Sequence, residues 1–121
     1  MSDNNPKFIE LKTLDEAKNE IKNIGSDPKS FEIMAPKAIS KIIKLENVVL
    51  RDAIIIKQDM LSLGGEVAIP KDAFDLHQKK ASILIIGTVK QLRELVQKLN
   101  RHYSRIKDIS RDVEKLINEI K

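Results

Sequence analysis

Residues whose types and spacing could do chemistry fall into three groups. The first surrounds a glycine pair: Lys57 and Gln58, then Gly64, Gly65 and Glu66. Glycine there allows a positive-φ helix stop or a close backbone approach to a ligand. Glu66 sets a carboxylate acceptor beside it, and Lys57 or Lys37 would add positive charge. The second group is Gly87-Thr88-Val89-Lys90, where a strand runs into a helix start. Free N–H groups at such a start attract an anion, but a lone Gly-Thr is a weak signal and Thr88 is fully explained as a cap. The third is Arg93, Gln97, Arg101 and Arg105, at i, i+4, i+8 and i+12, flanked by Lys90 and Lys98. One helix face of that kind suits phosphates. Glu94 interrupts it, and aromatics are only 3% of the chain, which disfavours base stacking.

Lys37, Lys57, Gln58, Gly64, Gly65, Glu66, Thr88 and Lys90 are therefore the candidate ligand-binding residues. Arg93, Arg101 and Arg105 form the candidate stripe for an anionic partner, nucleic acid included. No catalytic residue is assigned, because no serine elbow, phosphate loop, dinucleotide fingerprint or HExxH pattern occurs. Asp72, Asp75 and His77 could offer oxygen and nitrogen donors to a metal, but such spacing is common by chance. No metal or cofactor is predicted. The absence of cysteine excludes disulfides and thiolate chemistry.

The chain of 121 residues is one domain's worth, 41% hydrophobic and 33% charged. It is too short for a (β/α)₈ barrel, which needs roughly 200 residues or more. No apolar run reaches the ~18 residues of a membrane span, and the first six residues lack a signal-peptide pattern. A cytoplasmic location is expected. Charge is unevenly spread: the net +4 lies wholly within residues 90–121, and four of the five arginines are there.

Positioning these residues requires the following elements. Residues 1–7 read as a frayed start, and 8–121 as one domain with a basic helical segment over 89–121. Phe8, Ile9 and Leu11 suggest a strand. Thr13, boxed by Glu16, opens a helix whose stripe is Leu14, Ala17, Ile21 and Ile24, stopped by Gly25. Phe31, Ile33 and Ala35 alternate as a second strand ending at Pro36. A third strand is placed at 40–46, where a helical turn through Ala38, Ile42 and Leu45 fits nearly as well. Val49, Ala53, Ile56, Met60 and Leu63 define a helix over 49–63. Val67 and Ile69 form a strand, and Ile83–Ile86 a buried central one. Thr88, boxed by Gln91, then starts a helix with the seam Leu92, Val96, Leu99, Tyr103 and Ile106. That helix either continues to the end or breaks near Tyr103–Ser110. The order β-α-β-(β)-α-β-β-α-(α) is an α/β (α+β) fold with a small mixed sheet and a ferredoxin-like start.

One stretch is distinctive: Ile55-Ile56-Lys57-Gln58-Asp59-Met60-Leu61-Ser62-Leu63-Gly64-Gly65-Glu66-Val67-Ala68. It resembles a segment N-terminal to the catalytic barrel in a subset of dihydropteroate synthases, with the pattern KQxMLxxGGxxA. Met34-Ala35-Pro36-Lys37-Ala38, Lys44-Leu45-Glu46-Asn47-Val48 and Ile86-Gly87-Thr88 are similar to parts of the same extension, so the resemblance covers roughly residues 8–100. The barrel and its pterin motifs are missing, so no catalytic residue carries over. The resemblance implies a stand-alone extension acting as a non-catalytic accessory or interaction module in pterin (folate-type) biosynthesis, beside a separate pterin-pathway enzyme. The alternatives are a domain binding a phosphorylated pterin and a nucleic-acid binder using the basic helix. The Leu92–Ile106 seam would dock a partner helix or a second copy as a homodimer.

Overall fold

The computed structural model describes residues 2–71, 73 and 79–121. Among these described residues, five helices pack with one three-stranded antiparallel sheet, a small α+β domain. Helix α1 spans Leu14–Ile24. Thr13 Oγ1 accepts from Glu16 N–H at 3.1 Å, while the Glu16 carboxylate accepts from Lys12 N–H at 2.6 Å. Gly25 ends the helix at φ +89°. A 3₁₀ turn at Pro28–Ser30 leads into α2, Phe31–Ala38. Strand β1 is Ser40–Val49, α3 is Leu50–Ser62, β2 is Glu66–Ala68 and β3 is Lys80–Thr88. Helices α4, Val89–Leu99, and α5, Ser104–Asn118, follow.

The sheet order is β1-β3-β2, which puts the apolar run Ile83–Ile86 in the centre. Ile43, Ile85 and Val67 are cross-strand partners on one face. They pack with Ala53, Ile56 and Met60 of α3, Leu92, Leu95 and Leu99 of α4, and Ile106 and Val113 of α5. Each such fully buried Ile or Leu stabilises by roughly 1.5–3 kcal/mol. A bulge between Leu45 and Val48, with Asn47 at φ +55°, adds one residue and turns Val48 back toward this core. The opposite face is open: Ile42 and Lys44 are exposed beside half-buried Leu84 and Ile86. A smaller apolar cluster joins Ala17 of α1, Ala35 of α2, Ile39 and Val89.

Two expectations are corrected. Phe8, Ile9 and Leu11 form no strand, and Phe8 and Ile9 are exposed. Three apolar residues in a short run do not secure a sheet partner. Phe31–Ala35 is helical: Ala35 and Pro36 are buried, and α2 is held by packing against α1 rather than by strand alternation. Both changes remove the ferredoxin-like start and leave a purely antiparallel sheet. Of the two readings of the C-terminal segment, the broken one holds: it is two helices that turn at Asn100–Tyr103. Among the described residues no helix is long and apolar enough to cross a membrane.

Candidate functional site

The Lys57–Ala68 stretch and Gly87–Gln91 converge on one junction. α3 ends there, Gly64 reverses the chain at φ +87°, and β2 is laid against β3. Lys57 Nζ donates to Val67 O at 2.8 Å and to Glu66 Oε1 at 3.2 Å, tying α3 to β2. Glu66 also accepts from Val67 N–H, and that bond, followed by the Lys57 ammonium, holds its carboxyl below the usual range. Met60, fully buried, packs against both Gly65 and Gly87. A Cβ on Gly65 would lie 2.5 Å from Met60 Cε and 3.0 Å from Ile86 O. Glycine at Gly65 thus answers close packing, at ordinary φ.

Thr88 and Gln91 form the complete capping box expected of them. Thr88 Oγ1 accepts from Gln91 N–H at 3.1 Å, and Gln91 Oε1 accepts from Thr88 N–H at 2.9 Å. Gln91 Nε2 then donates to Leu63 O at 3.2 Å, so one amide joins the α4 cap to the α3 stop. Of the predicted ligand residues, the junction brings together Lys57, Gly64, Gly65, Glu66 and Thr88. Lys90 pairs with Glu94 at 2.5 Å, Gln58 is exposed on α3, and Lys37 is exposed on α2.

The arginine stripe is not one face. The helix ends at Leu99, so Arg93 sits on α4, Arg101 in the turn and Arg105 on α5. Arg105 turns inward to Asp52. Of the predicted docking seam, Leu92, Val96, Leu99 and Ile106 are buried in the chain's own core, and Tyr103 alone is exposed. Asp72, Asp75 and His77 lie outside the described residues. Among the described residues no cluster of three metal-ligating side chains occurs.

A second polar cluster was not anticipated. Asp52 and Asp59, two turns apart on α3, face the α4–α5 turn. Asp52 is fully buried and accepts from Tyr103 Oη and from Arg105 Nη2, the latter at 2.8 Å. The Arg105 guanidinium also stands 5.1 Å from the Tyr103 ring centroid. Burial pushes the Asp52 carboxyl up, but the Arg105 and Tyr103 hydrogen bonds outweigh it and hold it below the ordinary carboxylate value. The same contact with Asp52 raises the Tyr103 phenol. Asp59 Oδ2 lies 2.8 Å from His102 Nε2, both half-buried. This contact fastens the α4–α5 turn to α3. The sequence signal was available: Asp52 lies on the same α3 face as Ile56, and an acid on an apolar face needs a partner.

A cavity lies elsewhere, along the edge of β1 away from β3. It encloses about 450 Å³ between Ile42–Lys44, the last turn of α5, and Lys12–Thr13 at the start of α1. A smaller one of about 260 Å³ reaches Asp52 and Arg105 from the bulged end of β1.

The fold and junction define a small α+β domain whose conspicuous motif is structural at its glycines. No family profile matches the chain, and no solved structure matches it. The chain is 25% identical over 99 residues to a bifunctional dihydropteroate synthase/dihydropteroate reductase of Helicobacter pylori. The match takes in 82% of this chain and only 26% of that protein. The chain therefore resembles about a quarter of a larger relative.

Proposed function

We propose that this chain is a counterpart of the part of that relative lying outside its synthase barrel, and that it serves pterin (folate-type) biosynthesis as an accessory module. The carrying observation is the match itself, which leaves about three quarters of the relative unmatched. A synthase barrel takes about 250 residues of eight parallel strands. A three-stranded antiparallel sheet is not a fragment of one. The motif that carries the resemblance favours an interaction role, since its glycines and Met60 are spent on internal packing. The test is sedimentation of the purified chain with the dihydropteroate synthase of the same organism. Co-sedimentation at fixed stoichiometry is the expected outcome. Two independent species at micromolar concentration would remove the accessory reading.

A second reading is favoured by the relative's two activities. On this reading a barrel serves the synthase, and the quarter of the relative matched here serves the reductase activity that its name also carries. The discriminating assay adds dihydropteroate and a reduced nicotinamide donor to the chain alone and follows donor oxidation. Turnover without a partner protein would replace the accessory reading with a catalytic one.

A further inference from the structure

We propose that the cavity along the free edge of β1 is a binding site for a small aromatic anion, a ring bearing a carboxylate or phosphate. It uses none of the junction residues, so it stands apart from the folate-linked reading. Three observations carry it. The volume of about 450 Å³ falls in the ~300–1,000 Å³ range of small-molecule sites. Two exposed large apolar side chains, Ile42 at 65% and Leu116 at 45%, line it together with Ile120. Such an apolar wall has a cost in water that a ring would relieve. The rim is rich in lysine: Lys12, Lys41, Lys44 and Lys121 line it together with Glu119. Among the described residues none of these four lysines has an acidic partner within 4.0 Å, whereas Lys18, Lys57 and Lys90 do.

The division of labour follows from the chemistry. The ring lies on Ile42, Leu116 and Ile120, and the anionic group meets the lysine ammoniums. Glu119 is placed to accept from an N–H or O–H on the ring. Among the described residues β1 pairs with β3 alone, so main-chain donors on its other edge can meet the ligand as well. The wall beyond β1 is fixed by Leu14 N–H, which donates to Lys121 O at 2.7 Å and holds the α1 start against the end of α5. A second copy is the poorer occupant. Antiparallel pairing of β1 with itself centred near Lys44 sets that lysine against its own copy, and like charges opposed across strands repel.

The test is fluorescence titration of the full chain with anilinonaphthalene sulfonate, a planar aromatic anion. One saturable site per chain is expected, displaced by benzoate and phenyl phosphate and not by benzylamine. Ile42→Glu and Lys44→Glu alter exposed side chains, and circular dichroism checks that each variant keeps its fold. Each should weaken the probe by roughly tenfold or more, while Lys107→Glu, exposed on α5 outside the cavity, should not. Equal affinity in all three variants overturns the proposal, as does displacement by benzylamine as readily as by benzoate. A chain that does not bind the probe and sediments as a dimer dissociated by Ile42→Glu would show instead that the groove joins two copies.

Discussion

Asp52 shows how one buried acid organises its neighbours. Its carboxylate is satisfied by Tyr103 and Arg105, so its burial is compensated rather than costly. Asp52→Asn keeps the shape and removes the charge, and should cost about 1–3 kcal/mol by urea unfolding. The pH dependence has a definite sign. The folded pKa lies below the ordinary value of 3.8. The contribution is therefore complete above that value and is lost as pH falls through the folded pKa. The stability gap between wild type and Asp52→Asn should be constant near neutrality and close only in acid. A gap that instead widens below pH ~4 would contradict the pairing. Met60 makes a second residue-scale case. A Cβ on Gly87 would overlap Met60 Cε, so Gly87→Ala should cost about 1–3 kcal/mol through overpacking. Met60→Leu removes the overlapping methyl. The double variant should recover part of that loss, and simple additivity of the two costs would show that Gly87 is constrained by something else.

At the scale of elements, legibility followed the length and regularity of each pattern. α1, α3 and the central β3 could be read directly, because each carries a long stripe or an unbroken apolar run with a cap or glycine stop. The box at Thr88 was legible to the atom. The region 31–38 was not, because alternation over five residues is also compatible with a helical turn, and the deciding contact is with α1. The site was legible in its motif and not in its role: sequence marks Lys57, Gly64 and Gly65, but only packing reveals that Met60 and Gln91 are what the glycines accommodate. The seam Leu92–Ile106 carries the sharpest consequence. Its spacing resembles an intermolecular zipper, yet Leu99 is wholly buried between the sheet and α5. Leu99→Glu should therefore unfold the chain, at a cost of several kcal/mol for an unpaired buried charge. A folded Leu99→Glu protein with changed assembly, seen by circular dichroism and light scattering, would mean that α4 is free to face a partner.

For the whole molecule the telling feature is that the core has two parts of unequal size. Three helices and the sheet share the larger cluster, whereas α1 and α2 meet the rest through Ala17, Ala35, Ile39 and Val89. Local unfolding follows buried apolar contact, so the α1–α2 pair should open at lower free energy than β3 or α4. The same pair supplies Lys12 and Thr13 to the β1-edge cavity, and its first helical N–H is bonded to Lys121. A ligand seated there stabilises only the closed arrangement, and by mass action adds about 2.7 kcal/mol at a hundredfold excess over Kd. Native-state hydrogen exchange can read both effects. Amides of α1 should exchange by sub-global opening in the free protein, with weak denaturant dependence, and should gain protection when anilinonaphthalene sulfonate saturates the cavity. Amides of β3 already exchange through global unfolding and should report the same gain only in that limit. If α1 and β3 exchange with one common free energy in the free protein, the chain is a single cooperative unit, and the cavity has no independently opening wall.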